Sequence, residues 1–468
     1  MPAGQQVEVD EHEQIVERVA AIDVAKTSGM VCTRVPHATK AGKRSTRVWQ
    51  VGSTTNQILE LAEQLAGVGI ERVVVESTSD YWRPFVYLLE ARGLPVWLVN
   101  ARDVKHLPGR PKTDKLDAVW LCKLNERGML RPSFVPPAQI RRLRDYTRLR
   151  ADLTAERSRH KQRLEKLLED ALIKLGTVAT DIFGVSGRAM LEALIAGERD
   201  PKVLAELARG RLRVKHAALV EALTGQFSEH HAVVARMLLD QIDALGGQIE
   251  QLTVLIEEAI AAIPAATPPA PGLGGGAAAA VHDAIQPARS VPGHVDPQTG
   301  EVLAASLPAV DRLDEVAGIG RHAAQVIIAE VGLDMGQFPT PGHLVSWARL
   351  SPRTIQSGAR HRGGATGKGN PYLKAALGEA ATAAAKTDTF LGERYRRLVR
   401  RIGKLKALVA IARSILVIVW HLLADPTARF HDLGADYYTS RIDKNRKTRS
   451  LVHQLEALGH RVTLEPAA

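Results

Sequence analysis

A chain of 468 residues is about three times the length of an ordinary domain and can bury more than one core. Its 45% hydrophobic and 24% charged residues exclude global disorder. An aromatic content of 4% argues against single-strand binding on rings that stack each base.

Lys and Arg outnumber Asp and Glu by 62 to 51, a formal net charge of +11 that points to a polyanionic partner. The basic residues crowd positions 141–144, 157–166 and 394–406, where they could track phosphates. Two cysteines, Cys32 and Cys122, cannot build a disulfide framework, and no CxxC spacing suggests zinc, so a reducing cytoplasm fits. Residues 1–14 are acidic and polar where a signal peptide would be basic and then apolar, and they read as a loose leader. The most apolar stretch, 407–419, is broken by Arg413 and too short to span a bilayer, which predicts a buried helix and no membrane partner.

In chain order, residues 19–24 form a short apolar run that reaches the acid Asp23, and 30–35 and 46–51 read as further strands. A helix over 56–65 follows, then the strand 72–76 ending in Glu76, a helix over 84–92 and a strand over 95–99. This order predicts an α/β sheet domain, assigned to 1–137. Residues 138–263 change to long charged helical segments. Two arms, 138–175 and 231–263, carry apolar residues at alternating threes and fours: Leu149, Leu153, Leu164, Leu167 and Leu168, then Leu238, Ile242, Leu245, Ile249, Leu252 and Ile256. That spacing suits an antiparallel coiled coil, with a plain helical bundle as the alternative. The Pro/Gly/Ala-rich tract 264–307 cannot supply a core and reads as a flexible linker or an insertion. A mainly helical domain is expected over 308–400, and a helix with a basic tail over 401–468.

Asp23 and Glu76 both stand at carboxyl ends of predicted strands, where sites assemble in open α/β sheets. Asp114 and Asp117 are three apart at the start of a predicted helix capped by Thr113, which puts both on one face. Four such acids repel one another unless a divalent cation neutralises them, and hard oxygen ligands select Mg2+ or Mn2+. Two such ions can activate a nucleophile and stabilise a leaving oxygen in phosphoryl transfer.

Further on, Gly318-Ile319-Gly320-Arg321 opens the apolar helical run 326–331, as in a helix-hairpin-helix module that holds a phosphate at a helix N-terminus. A bare tight turn is the simpler alternative. Ser357 then precedes a glycine-rich basic stretch containing Arg360, Arg362 and Lys368, which suits a bound phosphodiester. By residue type alone Ser357 is an ordinary loop serine, and no Gly-x-Ser-x-Gly elbow surrounds it.

The acidic constellation resembles the RuvC-like, ribonuclease-H-type nuclease fold. More closely, Ala21-Ile22-Asp23-Val24-Ala25-Lys26, Glu76-Ser77-Thr78-Ser79-Asp80 and Lys112-Thr113-Asp114-Lys115-Leu116-Asp117-Ala118 are similar to the DEDD motifs of insertion-sequence transposases of the IS-one-ten family. That resemblance extends over nearly the whole chain, with Arg349 at a place where many members have glycine. It implies a DNA transposase or recombinase: Asp23, Glu76, Asp114 and Asp117 hold Mg2+, and Ser357 becomes covalently linked to DNA. It also implies a composite site assembled across protomers of a homo-oligomer, dimer or tetramer, acting on donor and target DNA and guided by an element-encoded RNA. Three alternatives stay open: a RuvC-like junction nuclease that uses water, an actin-like or sugar-kinase ATPase, and a non-catalytic nucleic-acid-binding scaffold.

Overall fold

A computed structural model describes residues 16–40, 42–77, 79–100, 113–263, 285–287, 294–295, 302–303, 307–352, 354–357, 360–441 and 444–464. Contacts divide the chain into two units, Met1–Val135 and Pro136–Ala468.

In the first unit, β1 (Val19–Val24), β2 (Ser28–Pro36) and β3 (Arg44–Gly52) form an antiparallel meander, followed by α1 (Thr55–Gly67). Then come β4 (Arg72–Ser77), α2 (Trp82–Ala91), β5 (Val96–Val99) and α3 (Asp114–Glu126). The strand order is β3-β2-β1-β4-β5, with β1, β4 and β5 parallel. Parallel strands need both faces covered. On one face Ala20, Ile22, Val24, Val73 and Val75 pack against Ile58, Leu61 and Leu65 of α1 and Phe85 and Leu89 of α2. The alternate residues Val19, Ala21 and Val74 turn to the other face and meet Ala118, Leu121 and Cys122 of α3. The mixed α/β sheet matches the expected order of elements, and α2 begins two residues earlier than the first-turn proline alone indicates.

The second unit opens on α4 (Ala138–Asp170), and after a set of short helices α5 (Glu229–Ala261) returns along it. The pair is antiparallel. Leu164 and Leu168 near the end of α4 share a core with Ala232, Ala235, Leu239 and Ile242 near the start of α5, where His231 Nε2 also meets Asp170 Oδ2 at 3.2 Å. Along α5, Ile242, Leu245, Ile249, Leu252 and Ile256 are buried as their spacing predicts. One seam position is corrected: Leu149 is 48% exposed, because α4 turns Thr147 and Arg150 inward there.

Of the tract 264–307, most lies outside the described residues; Ile285–Pro287 pairs antiparallel with Ala428–Phe430, and His294–Val295 with Val302–Leu303. The leader 1–14 also lies outside them. Next come α6 (Ala309–Asp314), α7 (Arg321–Val331), α8 (Pro341–Trp347), the hairpin β6 (Thr354–Ser357) and β7 (Arg360–Gly363), α9 (Pro371–Ala384), α10 (Phe390–Ile402) and α11 (Lys404–Ala424). The α11 helix belongs to the core of these helices. Trp420 Nε1 donates to Phe338 O at 2.7 Å, and Arg312 donates to Leu422 O and Asp425 O.

By length and composition α11 could cross a membrane, and it exceeds the apolar stretch that predicted it; yet Ile411, Ile415, Leu416, Ile418, Val419 and Leu422 are all buried within this unit.

A buried carboxylate ties the helical arm to this core. Glu330 of α7 is fully buried. Arg148 of α4 grips it with two hydrogen bonds of 2.7 and 2.9 Å, Arg144 lies 3.2 Å away, and Asn370 Nδ2 donates to it at 2.5 Å. The Asn370 Oδ1 caps α9 by accepting from the amides of Tyr372 and Leu373. Arg144 was expected to track phosphate; it is spent instead on Glu330 and on the carbonyls of Ala329 and Glu330.

Candidate active site

Pairing in the first unit brings two of the expected acids together. Asp23 and Glu76 are direct partners in the parallel β1–β4 register, at the carboxyl ends of both strands. Strand alternation turns both toward the α3 face, in line with Val19, Ala21 and Val74. Glu76 is 5% exposed and Asp23 partly buried, so the carboxylates are withdrawn from bulk water without being sealed from it.

The direction of α3 decides where the other two acids lie. Its carboxyl-terminal half is fastened over the starts of the strands: Cys122 Sγ lies 3.6 Å from Val19 O, and Asn125 Nδ2 donates to Ala20 O at 3.0 Å and Arg72 O at 3.2 Å. Arg72 answers by donating to the Asn125 side chain and carbonyl, both at 2.7 Å. From Cys122 back to Asp114 the helix rises about 12 Å, at about 1.5 Å per residue. From Val19 forward to Asp23 the strand advances about 13 Å, at about 3.3 Å per residue. The amino end of α3 therefore reaches the level of Asp23 and Glu76. Thr113 caps it as expected, its Oγ1 accepting from Leu116 N at 3.4 Å.

Asp114 and Asp117 occupy the first and second turns of the helix. The side chain of Asp114 and the whole of Lys112 lie outside the described residues. Among the described residues, no three His, Cys, Asp or Glu side chains gather as a metal group. The donor set itself is chemically suited to a hard divalent cation, since all four expected ligands are carboxylates.

Asn125 and Arg72 were missed by sequence reasoning. Asn125 is fully buried, and its full set of hydrogen bonds fixes the slide of α3 along the sheet. An asparagine in line with the apolar residues Ala118, Leu121 and Cys122 of a helix that is otherwise charged on its outer side was the available signal.

In the second unit Ser357 ends β6, opposite Arg360 of β7. Residues 360–363 are thus a strand of a hairpin, where the sequence suggested a glycine-rich loop. The side chains of Ser357, Arg360 and Arg362 lie outside the described residues, and Lys368 is exposed beyond the hairpin. Arg349 adopts φ +56°, the left-handed region in which glycine is at home.

The expected phosphate turn divides into two different glycines. Gly318 has φ +93°, and a Cβ there would lie 2.2 Å from Ala380 O and 2.8 Å from Ala384 N, so its bareness serves helix packing. Gly320, by contrast, faces open space at the N-terminus of α7. Arg321 is half engaged already, with ion pairs to Glu257 at 3.2 Å and Asp311 at 3.1 Å.

A transposase family model matches residues 20–173 with the DEDD transposase domain of IS110, and a second, described as the transposase IS116/IS110/IS902 family, matches 310–396. A curated relative, the "Insertion element IS110 uncharacterized 43.6 kDa protein" of Streptomyces coelicolor, is 34% identical over 117 residues. That match covers 25% of this chain and 29% of the relative, so it spans less than a third of the relative's length. Among solved structures, Thermus thermophilus RuvC aligns at 17% identity over 25% of this chain and 99% of that one, with a TM-score of 0.20. The T. thermophilus RuvC complex with a Holliday junction substrate aligns at 15% identity over the same shares, also with a TM-score of 0.20. Two separate matches to one family, one holding the strand-end acids and the other holding Ser357, fall in the same chain and order; the chain belongs to the IS110 family of transposases.

Proposed function

We propose that this chain is a metal-dependent DNA recombinase that moves an insertion sequence, with a RuvC-like acidic domain and a serine nucleophile. The observation that carries the reading is the in-register pair Asp23 and Glu76, withdrawn from water on the face to which the amino end of α3 returns. Two carboxylates held side by side at strand ends are costly without a cation between them.

Asp23, Glu76, Asp114 and Asp117 would hold Mg2+ or Mn2+. When bound, the ion supplies charge neutralisation at a phosphodiester and a lowered pKa for a coordinated hydroxyl. The chain's own groups do the rest. The Ser357 hydroxyl attacks phosphorus, a Ser–O–P bond forms, and the bond from phosphorus to the sugar oxygen breaks. That oxygen leaves with a proton while the serine proton passes to solvent or a nearby base. A sugar hydroxyl of the second DNA then reverses the exchange. One phosphodiester is replaced by another, so no nucleotide triphosphate is required. Arg360, Arg362 and Lys368 would neutralise phosphates beside the serine, and the open backbone at Gly320 would accept a phosphate at the start of α7, with Arg321 beside it and Gly318 setting the turn.

The same reading includes a homo-oligomer, dimer or tetramer, built through the paired helices α4 and α5 as a coiled coil, an element-encoded guide RNA, and a cytoplasmic location. Asp23→Asn and Glu76→Gln test the acidic half. Each is expected to lower divalent-ion-dependent strand exchange at least 100-fold while DNA affinity stays within about threefold, because removing a metal ligand leaves the phosphate contacts in place. Retained exchange in both variants would refute the metal assignment.

A further inference from the structure

Between Glu393 and Asp425 the sequence contains no acidic residue, and within 394–406 stand seven bases: Arg394, Arg396, Arg397, Arg400, Arg401, Lys404 and Lys406. The first three have work inside the protein. Arg394 donates to Tyr438 Oη at 2.8 Å, Arg396 pairs with Asp388 and Glu393, and Arg397 lies over the Tyr438 ring at 4.4 Å. Arg400, Arg401, Lys404 and Lys406 are exposed and form no ion pair among the described residues.

These four sit where α10 ends and α11 begins, at Gly403, whose φ of +80° turns the chain from one helix into the next. Arg400 and Arg401 suit the carboxyl end of α10, but the set as a whole carries a local conflict. Arg396 and Arg400, and Arg397 and Arg401, are like charges four apart on one helix. Lys404 and Lys406 stand in the first turn of α11, which has no acid, beside the positive end of its dipole. A sequence that keeps such a conflict at an exposed junction has a use for it elsewhere.

We infer that the α10–α11 junction, carrying Arg400, Arg401, Lys404 and Lys406, is a docking surface for the phosphate backbone of duplex DNA. This rests on the reading of the chain as a DNA recombinase and names a contact outside both the acidic residues and the serine hairpin. Charge complementarity favours a polyanion. Phe390 and Leu391 of α10 are fully buried, with Phe390 packed on Tyr437 and Tyr438, while Ile402 and Leu405 stand exposed among the four cations; two isolated aliphatic side chains are too small an apolar face to anchor a helix in lipid, so charge dominates the junction. Tyr395, the aromatic residue of α10 nearest the cations, is itself partly buried, which disfavours a stacked single strand. Exposed cations clustered at a helix junction suit contacts to phosphate oxygens, which position a duplex without carrying sequence information.

The test uses the full chain in a Ser357→Ala background, so that binding is read without strand transfer. A 30-base-pair duplex of arbitrary sequence is titrated at several salt concentrations, before and after R400Q, R401Q, K404Q and K406Q are combined. Each phosphate neutralised contributes about 0.9 to the slope of log affinity against log salt. The four changes together should lower the slope by about 3.6, so the variant loses about 150-fold less affinity than its parent between 50 and 200 mM salt. Thermal unfolding should move little, because the like charges relieved offset the cations lost from the carboxyl end of α10.

An unchanged slope with tight duplex binding by both proteins would overturn the docking surface and leave the recombinase reading standing. No duplex binding by the parent would defeat both. A slope change confined to a hairpin RNA, or binding lost only on vesicles containing phosphatidylserine, would overturn the assignment of duplex DNA.

Discussion

Replacing Glu330 with alanine should unfold the second unit far more readily than any exposed acid does. The carboxylate is fully buried and meets Arg148 at 2.7 and 2.9 Å, Arg144 at 3.2 Å and Asn370 at 2.5 Å. Its hydrogen bond raises the Arg148 guanidinium above its usual range. Breaking a buried pair by removing one partner costs about 3–5 kcal/mol, chiefly through the charge left behind. Arg148 keeps about a third of its side chain in water, so the lower end applies.

With a urea m-value of about 3 kcal/mol/M, a loss of about 3 kcal/mol moves the unfolding midpoint down by about 1 M. Glu330→Gln preserves shape and one acceptor, and should lose about half as much. The assay is urea unfolding followed by far-ultraviolet circular dichroism, with Glu258→Ala on the exposed side of α5 as the reference. A Glu330→Ala midpoint within 0.2 M of that reference variant, a shift set against the m-value above, would refute the reasoning.

The two glycines of the α6–α7 turn should separate cleanly. Gly318→Ala should cost about 3 kcal/mol, since its φ of +93° and the 2.2 Å approach to Ala380 O both oppose a side chain, whereas Gly320→Ala should leave urea stability unchanged and lower DNA affinity instead. Burial raises the Cys122 thiol well above its usual range while the hydrogen bond with Cys122 lowers that of Cys32; because both sulfurs are shut away from solvent, neither should react with a disulfide reagent at pH 8 until urea unfolds the first unit. Prompt labelling of Cys122 in the native protein would contradict that packing. Glu192, held below the usual carboxylate range first by its hydrogen bond from Arg236 and then by Arg188, lends stability that is fully present above the ordinary carboxylate pKa and lost as pH falls through its lowered value. Glu192→Gln should therefore flatten the acid limb of a stability-against-pH curve.

Much of the acidic domain was legible because strand-end acids and apolar alternation are local signals. Asp23 and Glu76 could be placed on strand ends from residues 19–24 and 72–76 alone, but their side-by-side register depended on β1 pairing with β4, each residue with the one 53 positions further along. The direction of α3 was not readable, since it is set by Asn125 binding the starts of two distant strands. Glu330 stayed hidden inside an apolar run, and its neighbour Arg144 read as a phosphate-tracking cation because a helix-period pattern does not reveal which cations face a buried acid. The separate uses of Gly318 and Gly320 could not be told apart either: both read as turn glycines, and only the approach of α9 distinguishes them. Arg349 was a more direct case, a non-glycine residue at a position whose left-handed backbone favours glycine.

The most direct test of the central claim is to trap the protein–DNA intermediate. A duplex with a nick placed opposite the exchange point, incubated with the full chain, Mg2+ and the proposed guide, an RNA transcribed from the element's own end, should yield a covalent adduct that peptide mass spectrometry assigns to Ser357. The adduct should vanish in Ser357→Ala and without divalent ion. Strand cleavage that proceeds at the parent rate in Ser357→Ala, with no adduct formed by either protein, would contradict the account and leave water as the nucleophile.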